Sequence, residues 1–170
     1  MTRGLLPMLM VSVIALPAFM RAPRVRSMSN GVADLVHRTA VRSPTVAAML
    51  KAIEASDVIL QIDFRLDPAL PRAVTTFVGL SGAVRYVRMV INPRLPPRLR
   101  MELLGHELQH VLEIASNPAI RDQASMRVAF SAMGWLEGAN GSYETAAALR
   151  VERQVRSELM SSPGRPVPFS

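Results

Sequence analysis

Apolar positions along the chain recur at two periods, and the switches between them divide it into elements. From Asn30 to Arg42 they return every three or four residues, as on one face of a helix, and a second helix is expected from Pro44 to about Ala55. Pro44 suits a first helical turn, and Ser43 before it is a candidate N-cap. At Val58 the period drops to two: Val58, Leu60, Ile62 and Phe64 alternate with Ile59, Gln61, Asp63 and Arg65, which predicts a strand. A Pro-rich loop follows at Asp67 to Pro71. Two further strands are expected over Val74 to Leu80 and Ala83 to Ile91, joined by a two-residue hairpin at Ser81-Gly82. On the second of these Val87, Met89 and Ile91 share one face, and Tyr86 and Arg88 point the other way.

Pro93, Pro96 and Pro97 close the strand region. A long helix is expected from Pro97 to about Ala115, ended by Asn117-Pro118. Another should cover Asp122 to Met133. A loop over Gly134 to Gly141 and a last helix from Ser142 to about Met160 complete the pattern, before a Pro-rich tail over residues 161–170. There are no internal repeats. Two helices, three strands and three helices in that order predict an α+β domain over residues 29–160, with residues 23–28 as a basic linker.

The first 22 residues read differently. Arg3 precedes an apolar run, residues 4–20, in the pattern of a secretory signal peptide or a membrane anchor, which places the chain outside the cytoplasm or tethered to the membrane. Small residues such as Ala18 and Ala22 offer cleavage points, although neither has a small residue three places before the cut. Composition narrows the rest. The 170 residues suffice for one domain with a real core, and 49% hydrophobic content excludes a wholly disordered chain. With no cysteine there is no disulfide, no Cys-type zinc site and no thiol nucleophile. The formal charge of +7 comes almost wholly from arginine, Lys51 being the only lysine. These arginines are scattered, without an aromatic-interleaved basic patch, so no nucleic-acid partner is expected.

The chemistry concentrates in His106-Glu107-Leu108-Gln109-His110, inside the long helix. Residues i and i+4 share a helix face one turn apart, so both imidazoles can reach one ion. Glu107 lies about 100° round the helix from His106, beside such an ion and not bound to it, where a general base must sit to take a proton from water. Leu104, Leu108, Val111, Leu112 and Ala115 lie away from the histidines, while Leu99 and Leu103 lie near them, so the helix should be central. Gly105, which costs about 1 kcal/mol relative to Ala in a helix, is expected to mark close packing against the sheet.

The stretch Leu104 to His110 resembles the active-site helix of the zincin metallopeptidases, as does the order of sheet, active-site helix and later helix. Small gluzincin-like bacterial proteins are the most similar. The resemblance implies that His106 and His110 bind Zn2+, that Glu107 is the catalytic base, and that the substrate is a peptide or protein. The metzincin pattern is rejected, because it needs Gly and His where this chain has Glu113 and Ser116. Gluzincins take a third ligand, a Glu, from a later helix, and a zinc site open to water needs three protein ligands. Glu144 is preferred, since on the last helix it would share a stripe with Ala148, Val151 and Val155; Glu137, Asp122 and His37 are the alternatives. Many gluzincins also carry an Asp four residues after that Glu, where this chain has Ala148.

Glu113 is a candidate for hydrogen-bonding a ligand or binding substrate, or else a surface residue, and Tyr143 and His37 are candidates to stabilise an oxyanion. The expected function is a zinc-dependent hydrolase, a metallopeptidase. The alternative is a catalytically inactive binding or regulatory protein on the same fold, with or without the metal, membrane-tethered if residues 1–22 stay attached.

Overall fold

A computed structural model of the chain describes residues 22–66, 72–137 and 142–161. Residues 1–21 of the expected signal or anchor, the Asp67 to Pro71 loop and residues 162–170 of the tail lie outside them. Over the described residues the fold is α+β, built from a four-stranded sheet, a separate two-stranded ribbon and five helices. Among the described residues no helix is long and apolar enough to cross a membrane.

Strand β1 (Val25–Ser27) occupies the segment expected as a linker. It pairs in parallel with β2 (Val58–Phe64), Val25 opposite Leu60, and the Glu54 carboxylate holds the amides of Arg24 and Val25 at 2.9 and 3.0 Å. A three-residue strand is too short to show a period, which is why basic composition dominated its reading. Between them stand α1 (Asn30–Arg42) and α2 (Pro44–Ala55), capped by Ser29 and Ser43. Ser43 Oγ accepts the Val46 N–H at 3.1 Å, as its place before Pro44 predicts.

The sheet order is β1-β2-β4-β3, where β3 is Ala73–Ser81 and β4 is Val84–Ile91. Strand β4 runs parallel to β2 and antiparallel to β3, so β1 and β3 are the edges. The hairpin turn is Gly82-Ala83, one residue later than expected, because Ser81 still pairs with Val84 and Gly82 supplies the positive φ of 58°. A bulge between Phe77 and Gly79 puts Val78 into solvent and breaks the regular edge.

Helix α3 (Pro97–Ser116) is the centre of the molecule. It packs on β2, β3 and β4, and its other side is covered by α2 and α5 (Ala146–Ser161). That sandwich is what its two-sided apolar pattern requires. Gly105 therefore has a different neighbour from the expected sheet: a Cβ there would lie 2.7 Å from Val155 Cγ2 of α5 and 3.5 Å from Val46 Cγ2 of α2. Arg85 of β4 fixes the far end of α3. Its Nη1 donates to the Ile114 and Asn117 carbonyls at 2.6 and 2.8 Å, Nη2 donates to Ala115 at 2.9 Å, and Asp57 takes the other edge of the guanidinium. A cation on the unpaired carbonyls of a helix C-terminus satisfies both their hydrogen bonding and the dipole.

Helix α4 (Gln123–Met133), with Asp122 as its N-cap, leads into the ribbon of β5 (Trp135–Glu137) and β6 (Ser142–Glu144). This differs from the expected loop and from a last helix starting at Ser142. Residues 142–144 pair antiparallel with 135–137, and the helix begins only after Thr145, whose Oγ1 accepts the Ala148 N–H at 3.1 Å. Glu144 thus stands on β6, off the helix stripe that argued for it.

Candidate metal centre

Helix α3 supplies two histidines because residues four apart share one face. The β6–α5 corner supplies Glu144. All three are buried. Their donor atoms converge: His106 Nε2 lies 3.2 Å from His110 Nε2 and 3.2 Å from Glu144 Oε1, and His110 Nε2 lies 3.9 Å from the same oxygen.

The far side of each ring decides what these atoms are. His106 Nδ1 is 3.1 Å from Oε2 of Glu152, and His110 Nδ1 is 2.9 Å from Oε2 of Glu113. A carboxylate only accepts, so a ring hydrogen on each Nδ1 serves Glu152 and Glu113. In the neutral rings each Nε2 then presents a bare lone pair. Two lone pairs and a carboxylate oxygen face one another with no hydrogen between them, an arrangement that repels itself unless a cation sits among the three.

A proton is one such cation. Burial opposes a charge on His106, but the hydrogen bond to Glu144 and the charges of Glu107, Glu144 and Glu152 outweigh it and raise its pKa to about 9. For Glu144 burial favours the neutral acid, yet the hydrogen bond and charge of His106, with the Thr145 amide, hold its carboxyl below the usual range. A metal ion is the other cation, and the dimensions fit it. Around tetrahedral zinc with bonds of about 2.0–2.1 Å, ligand atoms stand roughly 3.3 Å apart. The triangle of His106 Nε2, His110 Nε2 and Glu144 Oε1 has a circumscribed radius of about 2.0 Å, so one ion reaches all three at bonding distance.

The surrounding carboxylates are each held. Glu113 Oε1 accepts the Thr145 hydroxyl at 2.8 Å. Oε1 of Glu152 accepts Arg156 Nη2 at 2.7 Å, and Arg156 Nε donates to the buried Glu102 at 2.8 Å. Glu107, 5% exposed, reaches the edge strand, where its Oε2 accepts the Thr75 hydroxyl at 2.7 Å. Each buried ion costs several kcal/mol when left unpartnered, so this density of carboxylates is sustained by the histidines, hydroxyls and arginines around it.

Of the residues singled out in the sequence, the structure brings together His106, Glu107, His110, Glu113 and Glu144. Glu113 is buried on His110, not a surface residue. Asp122 caps α4, and His37 is exposed on α1. Glu137 stands on β5; its side chain lies outside what is described. Tyr143 alternates with Glu144 on β6 and meets Ser131 Oγ at 3.3 Å and the Phe130 ring. Tyr86 and Arg88 lie on β4, which is a central strand. Sequence reasoning missed Glu152, Thr145 and Thr75. Glu152 was findable: it sits one helical turn beyond Ala148, the position where an acidic partner was sought. Comparison with protein-family models, curated proteins and solved structures returned no match for this chain.

Proposed function

We propose that the chain is a zinc-dependent hydrolase of the zincin type that cleaves peptide bonds. One observation carries the metal: both Nδ1 hydrogens are spent on Glu152 and Glu113, which leaves His106 Nε2, His110 Nε2 and Glu144 Oε1 converging as acceptors. These three residues would hold the ion, and paired carboxylates behind ligating histidines are the usual device for fixing ring orientation and raising ligand basicity. A bound zinc supplies Lewis acidity, polarising a carbonyl and bringing water into an acidity range where a carboxylate can deprotonate it.

The remaining work belongs to the chain. Glu107 follows His106 on α3 and its charge acts on that ring, so it borders the triangle without being part of it. Its carboxylate takes the proton of the attacking water and returns it to the leaving amine, so the reaction closes with one water consumed and one acid and one amine released. The Thr75 hydroxyl keeps one oxygen of that carboxylate in place. Thr75 belongs to β3, an edge strand of the sheet, and such an edge suits an extended peptide chain.

A second reading, a metal-holding protein without turnover, draws on the placement of the two oxyanion candidates. His37 is exposed on α1, and Tyr143 is bonded to Ser131. One experiment tests both. Purified protein is assayed for zinc content and for cleavage of generic peptide substrates with and without chelator. About one zinc per chain with chelator-sensitive cleavage supports the hydrolase. Stoichiometric zinc without cleavage selects the second reading, and a chain that takes up no zinc rejects both.

A further inference from the structure

We infer that Thr145 is the positioning residue of the metal centre, joining the two segments that supply its ligands through its backbone N–H and both the donor and acceptor roles of its hydroxyl. The inference rests on the metal reading of His106, His110 and Glu144. Thr145 is 3% exposed. Its backbone N–H donates to Glu144 Oε1 at 3.1 Å, the same oxygen that stands 3.2 Å from His106 Nε2. Its hydroxyl hydrogen goes to Glu113 Oε1 at 2.8 Å, and the other oxygen of Glu113 holds His110 Nδ1 at 2.9 Å. Its hydroxyl oxygen accepts the Ala148 N–H at 3.1 Å, which starts α5. That helix carries Glu152, the partner of His106 Nδ1.

One residue therefore touches the settings of all three donors: Glu144 directly, His110 through Glu113, and His106 through the placement of α5. The chemistry demands a hydroxyl. Glu113 Oε1 takes the hydroxyl hydrogen at 2.8 Å beside only a long 3.5 Å bond from Gln109 Nε2, and the first turn of α5 needs an acceptor. A Ser or Thr hydroxyl does both at once; a side chain that only donates or only accepts does one. Glu113 is also tied to Thr145 across the gap between α3 and the β6–α5 corner, so losing this bond frees the corner to drift from the histidines by fractions of an ångström. Ligand preorganisation is sensitive on that scale.

The test is zinc affinity, measured by competition with a chromophoric chelator on the full chain, for wild type, Thr145→Ser, Thr145→Val, Glu113→Gln and the Thr145→Val/Glu113→Gln double variant. Thr145→Val keeps shape and the backbone N–H but removes the hydroxyl. Its affinity should fall about 10–100-fold, the range typical of partners behind metal ligands. Thr145→Ser should stay within about threefold of wild type, and the double variant should lose less affinity than the product of the two single losses, because the two residues share one bond. Thermal melting of the metal-free variants shows whether each is folded before titration. Wild-type binding with Thr145→Val within threefold of it overturns the inference and leaves the metal centre standing. Losses that multiply in full in the double variant overturn it too, because the Thr145 hydroxyl would then not act through Glu113, and the link between the two ligand-bearing segments would be gone. A wild-type chain that binds no zinc overturns the metal reading and the inference with it.

Discussion

Thr75 and Glu107 meet across the junction of the sheet edge and the central helix, hydroxyl to carboxylate at 2.7 Å. A buried carboxylate gains about 1.5–3 kcal/mol from such a bond, and the loss of its donor exposes the full cost of burying it. Thr75→Val should therefore destabilise the domain by about 1–3 kcal/mol, while Thr75→Ser stays close to wild type. Urea unfolding of the three proteins measures this; equal midpoints for Val and Thr would mean that the hydroxyl does not support Glu107.

Ligand and base should separate by mutation. Glu107→Gln keeps shape and should retain zinc, while any hydrolysis falls by about 10²–10⁴-fold. Glu144→Gln should lower zinc affinity together with activity, and His106→Ala or His110→Ala should abolish stoichiometric zinc. Glu137→Gln is the control. Metal analysis decides, and loss of zinc in Glu137→Gln with retention in Glu144→Gln would move the third ligand to β5.

Metal-free protein should lose stability in alkali. The folded pKa of His106 is raised to about 9, against an unfolded value near 6.5. Its contribution is fully present below the unfolded value and is lost as pH rises through the folded one. Glu144 is shifted the other way, so its contribution is present above the ordinary carboxylate range and lost as pH falls below it. The metal-free Tm should hold from about pH 5 to 6.5 and decline toward pH 9, by a free energy on the order of 3 kcal/mol counted once for the pair. Excess zinc should flatten this decline, since the ion takes the place of the proton. A metal-free Tm that is level from pH 6.5 to 9 contradicts the pairing.

Gly105→Ala sets helix propensity against packing. Alanine favours a helix interior by about 1 kcal/mol, but its Cβ would stand 2.7 Å from Val155 Cγ2. Valine is stiff at χ1, so α5 itself must give, at a cost of about 1–3 kcal/mol. Net destabilisation is expected, with weaker zinc binding because Glu152 rides on α5. The double variant Gly105→Ala/Val155→Ala should recover zinc affinity; if it binds no better than the single variant, the contact is not what couples the helices.

Periodicity made most of this fold legible. Both early helices and their Ser43 cap, the strand from Val58 to Phe64 and the central helix follow from spacing alone. What spacing could not give is what depends on a partner elsewhere in the chain. Strands β1, β5 and β6 have three residues each, too few for a period, and exist through pairing. The metal-binding candidates were legible on α3, where a face is a sequence property. Glu144 was identified through a helix it does not belong to; what brings it inward is the close approach of β6 to Gly134, where any Cβ would overlap the Glu144 carbonyl oxygen. Glu152 and Thr145 escaped because their roles are defined only by what they touch.

The split origin of the three donors bears on the speed of metal exchange. Two of them share α3, a helix held between the sheet and α5. The third sits on a two-stranded ribbon separate from the four-stranded sheet. If the three hold an ion, letting go of Glu144 would require movement of this ribbon and of the Thr145–Glu113 bond that ties its end to α3, and not unfolding of the central helix. Exchange in the native protein should be faster than unfolding, and chelators should extract the ion at a rate set by this ribbon.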